Sequence, residues 1–210
     1  MIKRSYKVEG MHCASCASSV ESMLGAMEGV EKANVNFADE SVLVEYDDGS
    51  VSAEQLKKSV KQIGYDLVID EKTDLDQEQA KEWKKLQSAR NKAFAAIAFS
   101  LPVFVISMFL PDIPYANHIM LVLTLPVIGW FGREFFQIAW KQASHFSANM
   151  DTLVALGTGA AFLFSLFNTF FPEYLISRGI TPHVYFEAAA VIISLILLGR
   201  YFEARAKSRT

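Results

Sequence analysis

The chain has 210 residues, 51% of them hydrophobic, and a formal net charge of −3, a balance with no basic stripe and so no nucleic acid expected as a partner. That average conceals two unlike halves. Residues 1–70 hold 7 Lys and Arg against 12 Asp and Glu, an ordinary soluble mixture, whereas residues 93–130 carry Asp112 and no other Asp, Glu, Lys or Arg.

Met1 to Gly10 lacks the apolar core of a secretory signal, so the first half is expected in the cytosol. Tyr6 and Val8, then Ala33, Val35 and Phe37, then Val42, Val44 and Tyr46, and finally Tyr65, Leu67 and Ile69 recur at every second position, as half-buried strands do. Between them Ala17, Val20, Leu24 and Met27, and again Ala53, Leu56, Val60 and Ile63, make apolar stripes at helical spacing. Ser52 followed by Gln55 is a capping-box pattern for the second helix. The order strand, helix, strand, strand, helix, strand predicts an α+β ferredoxin-like βαββαβ domain over residues 1–70. Residues 71–92 are of mixed charge without strand alternation and are expected to be a linker, helical in its later part.

Four apolar stretches follow, predicting an α-helical membrane region over 93–203 with spans at about 93–111, 115–140, 151–171 and 183–203. Gly129 and Gly132 place a kink near 129–132 in the second. Beyond it, Glu134 to Phe146 is amphipathic, with Phe135, Phe136, Ala139 and Trp140 expected on one side and Arg133, Gln137 and Lys141 nearer the other, and suits the membrane surface. Lys81, Lys84, Lys85, Arg90 and Lys92 precede the first span, Arg133 and Lys141 follow the second, and Arg200, Arg205, Lys207 and Arg209 lie at the end of the fourth, whereas the outer connections hold only Arg178. By the positive-inside tendency this is a multi-pass protein of the cell membrane, in contact with lipid, with both termini cytosolic.

The chain has two cysteines, Cys13 and Cys16, in the run Gly10-Met11-His12-Cys13-Ala14-Ser15-Cys16 between the first strand and the first helix. In a reducing compartment the pair points to metal or redox chemistry rather than a structural disulfide. Cys16 at the helix start and Cys13 in the loop can converge on one ion, helped by backbone N–H groups and the positive helix end. Two soft thiolates suit copper(I), whereas a structural zinc site takes four ligands. A thioredoxin-like redox pair has the same spacing. Met11 is expected to anchor the loop in the core and His12 to face solvent; neither is taken as a ligand. In the membrane half, helix direction puts Met150 at the inner end of the third span, Glu203 near the inner face and Glu187 near the outer face, with 16 residues between the glutamates corresponding to about 24 Å of helix. Carboxylates at such positions are functional candidates.

Met11 to Cys16, with Gly64-Tyr65 before the last strand, resembles a heavy-metal-associated domain. Ser147 to Gly157 (SANMDTLVALG) and Tyr185-Phe186-Glu187-Ala188-Ala189-Ala190 resemble the third and fourth spans of copper-branch heavy-metal (type IB) P-type ATPases. The resemblance covers nearly the whole chain. It implies copper(I) as the transported ion, Met150 and Glu203 as a transport entrance, Glu187 on the release path, and a platform at Gly129–Phe146 where a cytosolic copper chaperone can dock. The family's Asp-Lys-Thr-Gly-Thr, Thr-Gly-Glu and Cys-Pro-Cys motifs are not found in this sequence. ATP and Mg2+ are therefore expected to act only through the remaining ATPase domains, and the 210 residues to be inactive alone. Residues 204–210 stand where the resemblance expects an actuator domain to start. The competing expectations are a membrane-tethered, non-catalytic copper-binding module and a zinc- or cadmium-transporting pump.

Overall fold

The computed structural model describes residues 1–69, 75–110, 113–145 and 147–207. The first part of the expected linker and the end of the chain lie outside the described residues. The chain divides into two compact units: Met1–Asp74 with Phe136–Leu153, and Leu75–Phe135 with Val154–Thr210.

In the first unit β1 (Ile2–Glu9), α1 (Ala14–Gly25), β2 (Val30–Asn36), β3 (Ser41–Tyr46), α2 (Ala53–Gln62) and β4 (Asp66–Val68) follow in the expected order, and the strands form one antiparallel sheet in the order β2-β3-β1-β4. This is the ferredoxin-like arrangement. Alternation fixes the register, with Tyr6 opposite Val42 and Arg4 opposite Val44. A shift between Val30 and Lys32 leaves Glu31 as an extra residue in β2. Val8, Met11, Val20, Leu24, Val42, Val44, Tyr46, Leu56, Val60 and Leu67 are fully buried and make the core, each of the larger ones contributing about 1.5–3 kcal/mol by leaving water. The Tyr6 and Tyr46 hydroxyls hydrogen-bond each other at 2.6 Å, which satisfies both polar ends inside that core. At the head of α2 the Ser52 hydroxyl accepts from the Gln55 N–H while the Gln55 side chain accepts from the Ser52 N–H, so the capping box forms. The same unit contains α5 (Arg133–Ser144) from Phe136 onward and the first residues of α6 (Met150–Phe170).

The second unit opens with α3 (Leu75–Phe109), which runs through 35 residues from the charged segment into the apolar one without a break, Pro102 included. It packs along α8 (Phe186–Lys207). The helix α4 (Ala116–Pro126) passes into a π-helical turn, Val127–Phe131, closed by the Gly132 N–H on the Val127 carbonyl at 2.7 Å. Such a turn loosens the helical ladder, and the chain bends by 57° between Ala116–Phe131 and Arg133–Ser144. Val103, Ala116, Met120, Leu121 and Phe186 form a core here. Around it many large side chains point outward, including Met108, Val122, Leu156, Leu163 and Leu195, a surface suited to lipid rather than water. Backbone polar groups of the helices are satisfied internally, as hydrocarbon requires. The Ser165 hydroxyl adds a link between elements, donating to the Ala161 carbonyl and accepting the Tyr185 N–H, both at 2.6 Å.

By length and apolar composition, Trp83–Phe109 and Met150–Phe170 qualify as membrane spans, and the bent pair Ala116–Phe131 and Arg133–Ser144 makes a third if taken as one. α8 carries Glu187 at its start and Arg200, Glu203 and Arg205 towards its end. Those charges set it apart from the other three by composition. A short helix, α7 (Pro172–Ile176), with proline at its first position, stands in the expected outer connection.

Candidate metal centre

The cysteine loop is set by two backbone demands. Gly10 has φ +95° and Gly64 φ +98°, a left-handed conformation that glycine alone takes without strain. A Cβ on Gly10 would stand 3.6 Å from the Tyr65 ring, so the turns before Cys13 and before Tyr65 lie against each other. Met11 is fully buried and pins the loop to the core.

Cys13 is the N-cap of α1, and its sulfur accepts the Cys16 N–H at 3.4 Å. Cys16 is one turn into the helix and is fully buried, while Cys13 is half-exposed. Both are free thiols, with sulfurs 2.7 Å apart. Burial by itself would raise the Cys13 thiol, but hydrogen bonds from the Cys16 thiol, the Ser15 hydroxyl and the backbone N–H groups of Cys16 and Met150 hold it below the ordinary cysteine value. Burial, then the Cys13 sulfur, push Cys16 up, against opposing hydrogen bonds from the Tyr65 hydroxyl and the His12 backbone. Cys13 is thus the readier of the two to become a thiolate, and a metal ion bound by both sulfurs would displace their thiol protons. Among the described residues no group of three or more His, Cys, Asp or Glu side chains is placed to hold a metal. The donor set is two sulfurs, which fits a soft ion of low coordination number and falls short of a structural zinc site.

Met150, the first residue of α6, is brought to the cysteines through its backbone N–H on Cys13; its side chain is 37% exposed. Glu187 and Glu203 belong to the second unit, on the single helix α8, and both are half-buried. The Glu187 Oε2 is shielded from solvent and makes no hydrogen bond. At the break before α5, Glu134 pairs with Lys92 and lies 4.0 Å from Arg200, whose guanidinium stacks 4.4 Å over the Phe135 ring.

Sequence reasoning did not single out Gln142 and Asn149, which are 0% and 7% exposed. The Gln142 Nε2 donates to the Ile63 carbonyl at 2.9 Å, and the Asn149 Nδ2 donates to the Tyr65 hydroxyl at 3.0 Å. Ser19 and Ser147 hydroxyls meet at 3.4 Å, and Gly64 packs against Ile138 and Lys141. On α5 the amphipathic pattern grouped Trp140 with Phe135. Phe135 is buried, whereas Trp140 is 80% exposed and Gln142 takes the inward position.

Residues 5–66 match the heavy-metal-associated domain family. The chain is 41% identical over 97% of its length to a probable copper-transporting ATPase, PacS, of Synechocystis sp., of which it covers 28%. It is 39% identical over 99% of its length to a copper-exporting P-type ATPase of Bacillus subtilis, of which it covers 27%. The chain therefore spans little more than a quarter of the relatives it matches. A solution structure described as the N-terminal domain of a potential copper-translocating P-type ATPase from Bacillus subtilis in the Cu(I)-loaded state is 45% identical over 31% of this chain and 82% of that one, with a TM-score of 0.31. Residues 5–66 thus carry a heavy-metal-associated domain, and over nearly its whole length the chain is similar to part of the copper-transporting P-type ATPases.

Proposed function

We propose that this chain captures copper(I) on the cytosolic side of a membrane through Cys13 and Cys16 and begins the ion's path across as part of an ATP-driven copper exporter. The observation that carries this is the sulfur pair itself: two free cysteines converge at the head of α1 with no third acidic, histidine or cysteine ligand grouped with them among the described residues. Soft, two-coordinate donation selects copper(I) over the harder divalent ions.

On this proposal residues 1–70 are the capture domain, 71–92 the linker and 93–203 four spans, with both termini cytosolic and α8 as the fourth span. Its charges then lie at depths where water or partner groups reach them, Glu187 near the outer face and Glu203 near the inner. Met150 and Glu203 form the entrance, a soft sulfur and an anionic oxygen, and Glu187 draws the ion out. Phosphoryl transfer, ATP and Mg2+ belong to domains beyond these residues. A cytosolic copper chaperone docks at the Gly129–Phe146 region.

The test is a copper(I) titration of the whole chain in lipid nanodiscs against a chromophoric competing chelator. One copper(I) per chain is expected, far more tightly held than zinc, and replacing both Cys13 and Cys16 by Ser abolishes it. Stoichiometric copper(I) binding by the doubly substituted chain would overturn the site assignment.

A further inference from the structure

Gln142 and Asn149 take no part in the copper chemistry proposed above, yet both bury an amide, which is costly unless hydrogen bonds satisfy it. Their partners settle which way each amide is turned. The Asn149 Oδ1 accepts the Thr152 N–H at 3.0 Å and the Thr152 hydroxyl at 3.1 Å, so it caps the first turn of α6, and the Nδ2 is the end presented to the Tyr65 hydroxyl at 3.0 Å and the Cys16 sulfur at 4.0 Å. The Gln142 Nε2 is fixed as a donor by the Ile63 carbonyl and also lies 3.4 Å from the Tyr65 hydroxyl. A phenol oxygen has room for two donors and carries one proton of its own. With both acceptor positions taken by amide N–H groups, that proton must leave in the remaining direction, towards Cys16, with which the Tyr65 hydroxyl is hydrogen-bonded.

We propose that Asn149 and Gln142 are positioning residues for the two-cysteine site: by donating to the Tyr65 hydroxyl they aim its proton at Cys16 and keep the metal loop seated on the segment that opens α6. Ser19 against Ser147 and Gly64 against Ile138 and Lys141 flank the same seat. The seat reads one atom, the oxygen of Tyr65. A domain with phenylalanine at that position would present the same ring and lose the recognition. The role in copper handling rests on the assignment of Cys13 and Cys16 as the copper site, but the contacts are those of the metal-free chain and are tested without copper.

The experiment is hydrogen–deuterium exchange of the metal-free chain in nanodiscs, for the wild type, Asn149→Ser, Gln142→Leu, Tyr65→Phe and the double variant Tyr65→Phe/Asn149→Ser. Serine keeps an N-cap oxygen for the Thr152 N–H but has no amide to offer. Losing one buried hydrogen bond corresponds to roughly a tenfold shift. Each single variant is therefore expected to exchange about tenfold faster in peptides covering 12–17 and 62–67, with the β2–β3 peptides unchanged as the sign of an intact domain. The double variant is expected to be no faster than Tyr65→Phe, because Asn149→Ser then removes a contact already broken. Unchanged loop exchange in Asn149→Ser and Gln142→Leu overturns the proposal. So does acceleration confined to 150–154, which marks a helix cap and nothing more, or additive effects in the double variant. Copper(I) titration of the same variants separates the two claims: loss of the seat with stoichiometry retained leaves the copper site standing, and loss of copper binding in the Cys13/Cys16 double variant says nothing against the seat.

Discussion

A methyl group added at Gly129 or at Gly132 should act with opposite sign, although the two positions are three residues apart in one bent segment. At Gly129 a Cβ meets nothing within 4 Å, so Gly129→Ala keeps only the gain in helix propensity, about 0.8–1.0 kcal/mol. At Gly132 the Cβ would stand 3.0 Å from the Ile128 carbonyl oxygen, 3.0 Å from the Ile193 Cδ1 and 3.1 Å from the Val127 carbonyl oxygen. Two of these three are main-chain atoms, and the Val127 oxygen is the acceptor that closes the π-helical turn. Ile193 is fully buried. Overpacking of this kind costs about 1–3 kcal/mol. Gly132 is the cap between the π-helical turn and α5 rather than a helix-interior residue, so it has no propensity gain to offset the overpacking, and Gly132→Ala should be about 2–4 kcal/mol less stable than Gly129→Ala. Equilibrium unfolding in mixed micelles, titrated with sodium dodecyl sulfate and followed by far-ultraviolet circular dichroism, measures that difference. Equal stabilities, or Gly129→Ala the weaker of the two, would refute the idea that close approach to Ile193 and the turn's own carbonyls is what keeps position 132 free of a side chain.

In a full-length protein carrying the phosphorylation machinery, Met150→Leu and Glu203→Gln are expected to reduce copper-dependent phosphoenzyme formation, whereas Glu187→Gln leaves formation intact and slows dephosphorylation. Wild-type behaviour of all three would remove Met150, Glu203 and Glu187 from the proposed ion path and leave the cysteine pair as the proposed site. Ser52→Ala removes the capping-box acceptor of α2 and should cost the N-terminal domain about 1 kcal/mol in chemical denaturation, with Ser52→Asp retaining most of it. The Tyr46 phenol is pushed up to about 12 by burial and then by its hydrogen bond to Tyr6. The unfolded chain ionises this tyrosine near 10, so its contribution is complete below about 10 and is lost as pH rises from there through the folded value. Denaturation midpoints in that window should fall with pH in the wild type and fall less in Tyr46→Phe; parallel slopes would show that Tyr46 is not the group responsible.

The ferredoxin-like domain was legible because its signals are local. Alternation in Val42, Val44 and Tyr46 gives β3, the stripe of Val20 and Leu24 gives the buried face of α1, and Ser52 with Gln55 gives the start of α2; each needs only its own neighbours in sequence. The extra residue Glu31 in β2 escaped because a bulge is decided by the partner strand, not by the strand itself. The continuity of α3 was hidden by a change of solvent rather than of backbone: charged and apolar stretches differ in what surrounds them, and nothing helix-breaking stands between them at 83–101. The expectation that Trp140 shares a face with Phe135 failed because Gln142 has a better reason to be inside, a carbonyl at Ile63 that is 79 residues away in sequence. The same holds for Asn149. Its helix-capping half, towards Thr152, is readable from the sequence, but its amide half finds Tyr65 across 84 residues and leaves no local trace.

Charge arithmetic at the sulfur pair bears on which ion belongs there. Cys13 is the N-cap of α1 and accepts an N–H from inside that helix, and it also accepts the N–H of Met150 at the head of α6. Two helix N-termini therefore converge on one sulfur, and each carries partial positive charge that favours a net anion. Two thiolates around a monovalent ion leave such an anion, with one negative charge and both ligands used. Two thiolates around a divalent ion leave a neutral centre that gains nothing from the helix ends and still wants about two further ligands, which the described residues do not group there. On the proposed copper(I) site, a preference over zinc would then draw on the backbone as well as on the softness of sulfur. It should weaken when Cys13 loses the Met150 N–H. Separating the domain from α6 should lower its copper(I)-to-zinc selectivity, measured by competition between the two ions, and unchanged selectivity in the separated domain would assign the preference to the sulfurs alone.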